Sequence, residues 1–172
     1  MKKLHLLALL IWQLNLLSQT YIKPIRVGDH FRDFKAETID GNSINVSDSI
    51  KNKIAIIHFW SPWCHASRNN GRKIMIPVYE KYKQNGLVII SIANVKDTIA
   101  FIKALNEDKI PWLNLVDINN KNNVWNIYGV IAWDGADGGG GGYLIDEKGY
   151  IIAYANSAKK LNKILSKKYN IK

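Results

Sequence analysis

Cys64 is the single cysteine of this 172-residue chain, set in Trp60-Ser61-Pro62-Trp63-Cys64-His65-Ala66-Ser67 directly after the apolar run Ile54 to Phe59. A thiol placed where a strand gives way to a helix lies beside free backbone N–H groups and the positive end of the helix dipole. Both favour the thiolate, which is the nucleophilic form. The chemistry open to it is thiol–disulfide exchange. The second cysteine that such a site normally uses is missing, and Ser67 stands in its place. A serine hydroxyl can hydrogen-bond a thiolate, but it cannot attack or leave as a sulfur does. His58, six residues upstream, offers an imidazole that acts as a base toward Cys64 or lies hydrogen-bonded in the core. His65 follows the thiol and, if protonated, stabilises the thiolate; alternatively it sits exposed at the helix start. Arg68 and Arg72 add positive potential or form a solvated helix face. His58, Cys64 and His65 are too few ligands for a convincing zinc site, so no metal and no cofactor is expected.

The elements that must position these residues are legible from periodicity. Ile44-Asn45-Val46 alternates as a short strand, and the run from Ile54 to Phe59 suits a central strand covered on both faces. His65 to Gln84 has helical composition, which Gly71 and Pro77 should kink or divide. Leu87 to Ile92 is a second buried strand, followed by a helix from about Thr98 to Leu105, an extended segment from Ile110 to Val116 and a short helix over Asn122 to Tyr128, stopped by Gly129. The glycine run Gly138 to Gly142 leads into Tyr143-Leu144-Ile145, the turn Asp146 to Gly149, and Tyr150 to Tyr154, a hairpin. As a phosphate cradle the glycine run is unconvincing, because a strand follows it. A last helix from about Ala158 to Tyr169 sets Leu161, Ile164 and Leu165 on one face and five lysines elsewhere. Strands alternating with helices, then a hairpin and a terminal helix, make an α/β sandwich of mixed sheet.

The N-terminus reads as an export signal: Lys2 and Lys3, a leucine-rich stretch from Leu4 to Leu17, then Ser18, Gln19 and Thr20. The division expected is a signal peptide at 1–20 and one domain at 21–172. The alternative, a retained anchor, is disfavoured because the apolar stretch is short and is interrupted by Gln13 and Asn15, so no stable membrane span is expected after cleavage. No cysteine follows the signal, which excludes a lipoprotein anchor there. A single cysteine also rules out disulfides within the chain. The net charge of +10 comes mostly from lysines that form no tract and carry no interleaved aromatics. Nucleic acid is therefore not an expected partner.

Four stretches in order, Val27-Gly28-Asp29 with Asp33-Phe34, Phe59-Trp60 to Trp63-Cys64, Tyr128-Gly129-Val130, and Tyr143-Leu144-Ile145-Asp146 to Gly149, resemble the thioredoxin-like superfamily. Within it the likeness is to the exported TlpA/ResA-type thiol–disulfide oxidoreductases, a redoxin group related to AhpC/TSA. The resemblance implies a thioredoxin-like fold with a mixed central sheet flanked by helices, a C-terminal β-hairpin and a terminal helix. It implies that Cys64 is the nucleophile, that Trp63 packs beside it and that Ser67 occupies the resolving position, giving a CxxS site. The substrate-facing loop, where the family usually has a cis-proline, falls near Gly140, and glycine does not fix φ as proline does. His58 stands where relatives carry a buried aspartate or asparagine. Trp133 could rim the site, whereas Trp112 and Trp125 read as core or surface filler.

These readings lead to an exported protein of the periplasm or cell envelope. It would exchange disulfides through one thiol with exported protein thiols or disulfides, or with small thiols, in a role in cell redox homeostasis. Isomerisation is compatible, since shuffling needs one thiolate that later leaves. The main alternative is a redox-inactive binding module that keeps the fold and uses the groove around Trp63, Trp133 and the glycine loop. A peroxiredoxin-like peroxidase fits less well. In the pattern P-x-x-x-[ST]-x-x-C, Ser61 matches the hydroxyl, but Ile57 occupies the proline position and no arginine follows Arg72.

Overall fold

Six consecutive residues that are apolar or aromatic apart from one histidine have no solvent-compatible face, so the strand that leads to Cys64 has to lie in the middle of a sheet. The computed structural model places it there. It describes residues 25–118, 121, 124–130 and 141–171; the signal segment expected at 1–20, Trp133 and Gly140 lie outside these. In chain order the elements are β1 (Lys35–Glu37), β2 (Ser43–Asn45), α1 (Val46–Ile50), β3 (Ala55–Trp60), α2 (His65–Asn70), a π-helical turn (Gly71–Met75), α3 (Ile76–Tyr82) and a 3-10 turn (Lys83–Asn85). They continue with β4 (Val88–Val95), α4 (Thr98–Asp108), β5 (Leu113–Ile118), α5 (Val124–Ile127), β6 (Gly142–Ile145), β7 (Ile151–Tyr154) and α6 (Ala158–Lys168).

Among the described residues the strands form one seven-stranded sheet in the order β2-β1-β5-β4-β3-β6-β7. β3 runs parallel to β4, and β4 parallel to β5; β6 closes on the other side of β3 antiparallel, followed by β7. Alternation along β3 sends Ala55, Ile57 and Phe59 to one face and Ile56, His58 and Trp60 to the other. The first face packs under α1, α5 and the segment around Phe34, with Val46, Trp125, Tyr128 and Tyr143. The second lies under the π-helical turn, α3 and α6, through Met75, Val78, Tyr82, Leu161 and Leu165. Beside it α4 contributes Phe101 and Ala104 against Trp60.

Several boundaries differ from those read in the sequence, each for a local reason. Val46 begins a helix rather than ending a strand, because the Asp33 carboxylate accepts the Ser47 N–H at 3.0 Å and caps that first turn from outside. The segment from His65 onward is divided at Gly71–Met75, upstream of Pro77, which sits in the first turn of α3. Proline has no N–H for the carbonyl four residues back and its ring crowds that carbonyl; the wider π turn just before it absorbs the mismatch. α4 runs on to Asp108, started by the Asp97 carboxylate accepting the Ile99 N–H and stopped by Lys109 in the left-handed region. The hairpin and terminal helix follow the sequence reading closely. Glycine is favoured at 149 in that hairpin turn because φ is +86°, in the left-handed region.

Candidate thiol site

The strand-to-helix corner is a four-residue turn closed by the Cys64 N–H donating to Ser61 O at 3.1 Å. Pro62 inside it is buried, and Trp63 stands out with 43 % of its surface exposed. Cys64 is the residue preceding α2, with extended backbone (φ −96°, ψ 106°), and its carbonyl accepts the Arg68 N–H at 3.1 Å. Its thiol is free and half-buried, and it makes no cap bond to the helix. That leaves the sulfur available to a partner rather than committed to the backbone.

Ser67 is buried, with 1 % exposure. Its Oγ accepts the Ser61 N–H at 3.1 Å and lies 3.1 Å from Ser61 O and 3.0 Å from Cys64 O, to which it donates. Trp63 lies under the Lys96 ammonium, 4.8 Å from the ring centroid, which brings a cation from the β4–α4 connection to the thiol corner.

By strand register His58 is set beneath the π-helical turn that begins at Gly71. It pairs with Ser91 across β3 and β4, and side chains of a register pair project to the same face. Nδ1 lies 3.0 Å from Ser91 Oγ, which also accepts Trp112 Nε1–H at 2.7 Å. Nε2 is buried without a hydrogen-bond partner, and Cε1 would lie 3.8 Å from a Cβ at Gly71. Burial lowers this imidazole from 6.5 to about 4, so it is neutral at neutral pH.

His65 is exposed, and the Asn69 side-chain amide donates to its Nδ1 at 3.1 Å. Arg68 and Arg72 neither form a solvated face nor direct free charge at the sulfur. Arg68 Nε and Arg72 Nη1 contact the two oxygens of Asp108 at 2.7 and 2.8 Å, and Arg68 Nη2 reaches Glu107 at 2.8 Å. Burial alone would raise the Asp108 carboxyl. The hydrogen bond and charge of Arg68, joined by those of Arg72, outweigh it and hold the group below its ordinary value. The pairs tie α2 and the π-helical turn to the end of α4. Among the described residues no cluster of three His, Cys, Asp or Glu side chains could hold a metal ion, and no helix is long and apolar enough to cross a membrane.

Gly141 and Gly142 bring the loop segment against the strand that leads to the thiol: Gly141 O accepts the Phe59 N–H at 2.7 Å. A Cβ at Gly142 would come 2.7 Å from Ile57 O, so only glycine allows β6 this close. Trp112 and Trp125 are core side chains. Reading the sequence alone missed Lys96, Ser91 and Asp108. A cation within reach of Trp63, or an acid facing Arg68 across about 40 residues, has no local signature.

A parallel β3-β4-β5 core, an antiparallel closing hairpin and a helix that begins beside a cysteine at the end of β3 define a thioredoxin-like fold. The chain belongs to the AhpC/TSA family, whose profile matches residues 27–154. Among solved structures it is similar to the thioredoxin domain of a thiol–disulfide oxidoreductase from Bacteroides vulgatus, at 21% identity over 85% of this chain and 99% of that one, with a TM-score of 0.71. A thiol–disulfide oxidoreductase from Bacteroides fragilis matches at 18% identity, 81% and 98% coverage and a TM-score of 0.69. A secreted Mycobacterium tuberculosis disulfide oxidoreductase, described as homologous to Escherichia coli DsbE, matches at 20% identity, 78% and 95% coverage and a TM-score of 0.62. At these identities the likeness establishes the fold. No curated protein matches the sequence.

Proposed function

We propose that this protein is an exported monothiol exchange protein of the periplasm or cell envelope. The observation that carries the reading is a free, half-buried Cys64 on the strand-to-helix corner of a thioredoxin-like fold, with a hydroxyl where a second sulfur would be. The Cys64 thiolate attacks one sulfur of a disulfide, either in an exported protein or in the oxidised form of a small thiol. A bond forms to that sulfur and the other leaves as thiolate. A second, external thiolate then attacks the partner's sulfur in the mixed disulfide, returns Cys64 as thiolate and leaves the partner in a new disulfide. No net electrons are gained by the protein, so the cycle suits exchange and isomerisation rather than unaided reduction. Trp63 and Lys96 border the approach. His58, neutral and bonded to Ser91, serves as a structural group beneath the π-helical turn. A peroxidase reading loses support because Arg68 and Arg72 are held by Asp108 and Glu107 instead of facing the sulfur.

The test is incubation of the mature protein with oxidised glutathione and with an alkylating reagent at neutral pH, read by mass spectrometry beside Cys64→Ser and Ser67→Cys. The expected result is alkylation faster than a free peptide thiol, a one-to-one mixed disulfide released by excess thiol, and, in Ser67→Cys, expulsion of that glutathione as an intramolecular disulfide closes. A Cys64 no faster than a peptide thiol, together with an inactive Ser67→Cys, would replace this reading with that of a binding module.

A further inference from the structure

We propose that Ser67 is the positioning residue of the thiol corner: its hydroxyl braces the Ser61–Cys64 turn and so fixes how Cys64 and Trp63 are presented. The inference rests on the exchange reading above.

The turn can be followed bond by bond. β3 ends at Trp60, and the next amide, Ser61 N–H, is buried and has Ser67 Oγ as its acceptor at 3.1 Å. Ser61 O takes the Cys64 N–H, and Cys64 O takes the Arg68 N–H. Both carbonyls also lie within donor reach of the same Ser67 hydroxyl, at 3.1 and 3.0 Å. One side chain thus joins the start of the turn, its end and the first turn of α2. Without it a buried amide has no acceptor, and this is costlier than a bond merely left unmade.

The hydroxyl has one proton, and both groups it can give that proton to are backbone carbonyls. To hydrogen-bond the Cys64 sulfur it would have to give up both carbonyls while still accepting the Ser61 N–H, and here the proton is directed to the backbone. Sulfur is also a poor substitute here. A thiol is a weak donor and acceptor, so it cannot replace bonds of this length to an amide and two carbonyls. The residue at the resolving position has therefore acquired a different task from the one its place in the helix implies. Disulfide exchange needs the attacking sulfur in line with the bond it breaks, and loosening the turn that holds it lowers the rate without touching the thiol itself.

The experiment compares wild type, Ser67→Ala, Ser67→Thr and the control Tyr82→Phe, which removes the hydroxyl of a buried side chain at the far end of α3, where it donates to Asn162 O. Exchange of Cys64 with oxidised glutathione is measured well below the melting temperature of each. Ser67→Ala should exchange about tenfold more slowly, the loss of one hydrogen bond's worth of positioning. Ser67→Thr should recover most of the rate, and Tyr82→Phe should match wild type despite any lowered melting temperature. Equal rates for wild type and Ser67→Ala would overturn the brace while leaving the exchange reading intact; an inert wild-type Cys64 would overturn the exchange reading itself. Amide hydrogen exchange on the wild-type protein covers the case in which Ser67→Ala does not fold. Ser61 N–H should be protected as strongly as the β3 amides, and exchange at the rate of an open peptide would refute the proposal.

Discussion

The two faces of β3 are built on different principles. On one, Phe59 meets Trp125, Tyr128 and Tyr143 at ring-centroid distances of 5.4, 5.2 and 6.3 Å, a packed aromatic core in which the hydroxyls of Tyr128 and Tyr143 both donate to backbone carbonyls. On the other, one residue away, His58 sits between Ile56 and Trp60 with Ser91 and Trp112, under the π-helical turn that follows a helix whose Ser67 is also buried. The aromatic face stabilises by area and shape. The polar side carries directional bonds instead: His58 and Trp112 both meet Ser91 Oγ, and Ser67 bonds the turn that ends at Cys64. Side chains one position apart on the same strand thus enter two differently built layers, one held by packed rings and one by directed bonds.

The sharpest way to break that contrast is Phe59→Ala. Truncating a fully buried ring in the aromatic cluster should cost about 3–5 kcal/mol in urea unfolding, with alkylation of Cys64 in the folded fraction unchanged. If the thiol rate fell as well, the two faces would not be independent. Next in size is the pH dependence of the polar face. His58 titrates near 4 in the folded protein against 6.5 when unfolded, so between these values the unfolded chain binds more protons. Stability is fully present above about 6.5 and falls as the pH drops toward 4, by about 3 kcal/mol at ~1.4 kcal/mol per pH unit. A His58→Leu variant should lack this acid limb; parallel urea midpoints from pH 7 to 4.5 in both proteins would refute it.

Asp108→Asn comes third. It leaves Arg68 and Arg72 without their shared carboxylate and should cost about 2 kcal/mol, discounted from a fully buried pair because both arginines are partly exposed. An unchanged urea midpoint would show that the anchor contributes nothing. The smallest effect is expected of Lys96→Ala, about 0.5 kcal/mol from the loss of a solvent-exposed cation–π contact with Trp63. A thermal shift larger than that of Asp108→Asn would reverse this order.

What was legible in the sequence was local. The run Ile54 to Phe59, the Asp146-to-Gly149 turn and the amphipathic pattern around Leu161 and Leu165 each carry their structure in a few consecutive residues, and the order of such segments was enough for the fold. Cys64 and its corner were visible for the same reason. The surroundings of the thiol were not, because they are made by register and by distant partners. His58 meets Ser91 only once β3 and β4 are aligned, and Arg68 finds Asp108 only once α4 is docked. Even the π-helical turn follows from a conflict between Pro77 and the helix before it, which composition flags as a break without saying of what kind.

β3 is flanked on one side by β4, made soon after it, and on the other by β6, made near the end of the chain. During synthesis the strand that carries the thiol corner therefore waits with one edge open until the hairpin arrives, the interval in which a chain of several cysteines would risk joining the wrong pair. Having a single cysteine removes that hazard: however long the sheet stays incomplete, no knot of mispaired thiols can form within the molecule, and its maturation calls for no proofreading of its own cross-links.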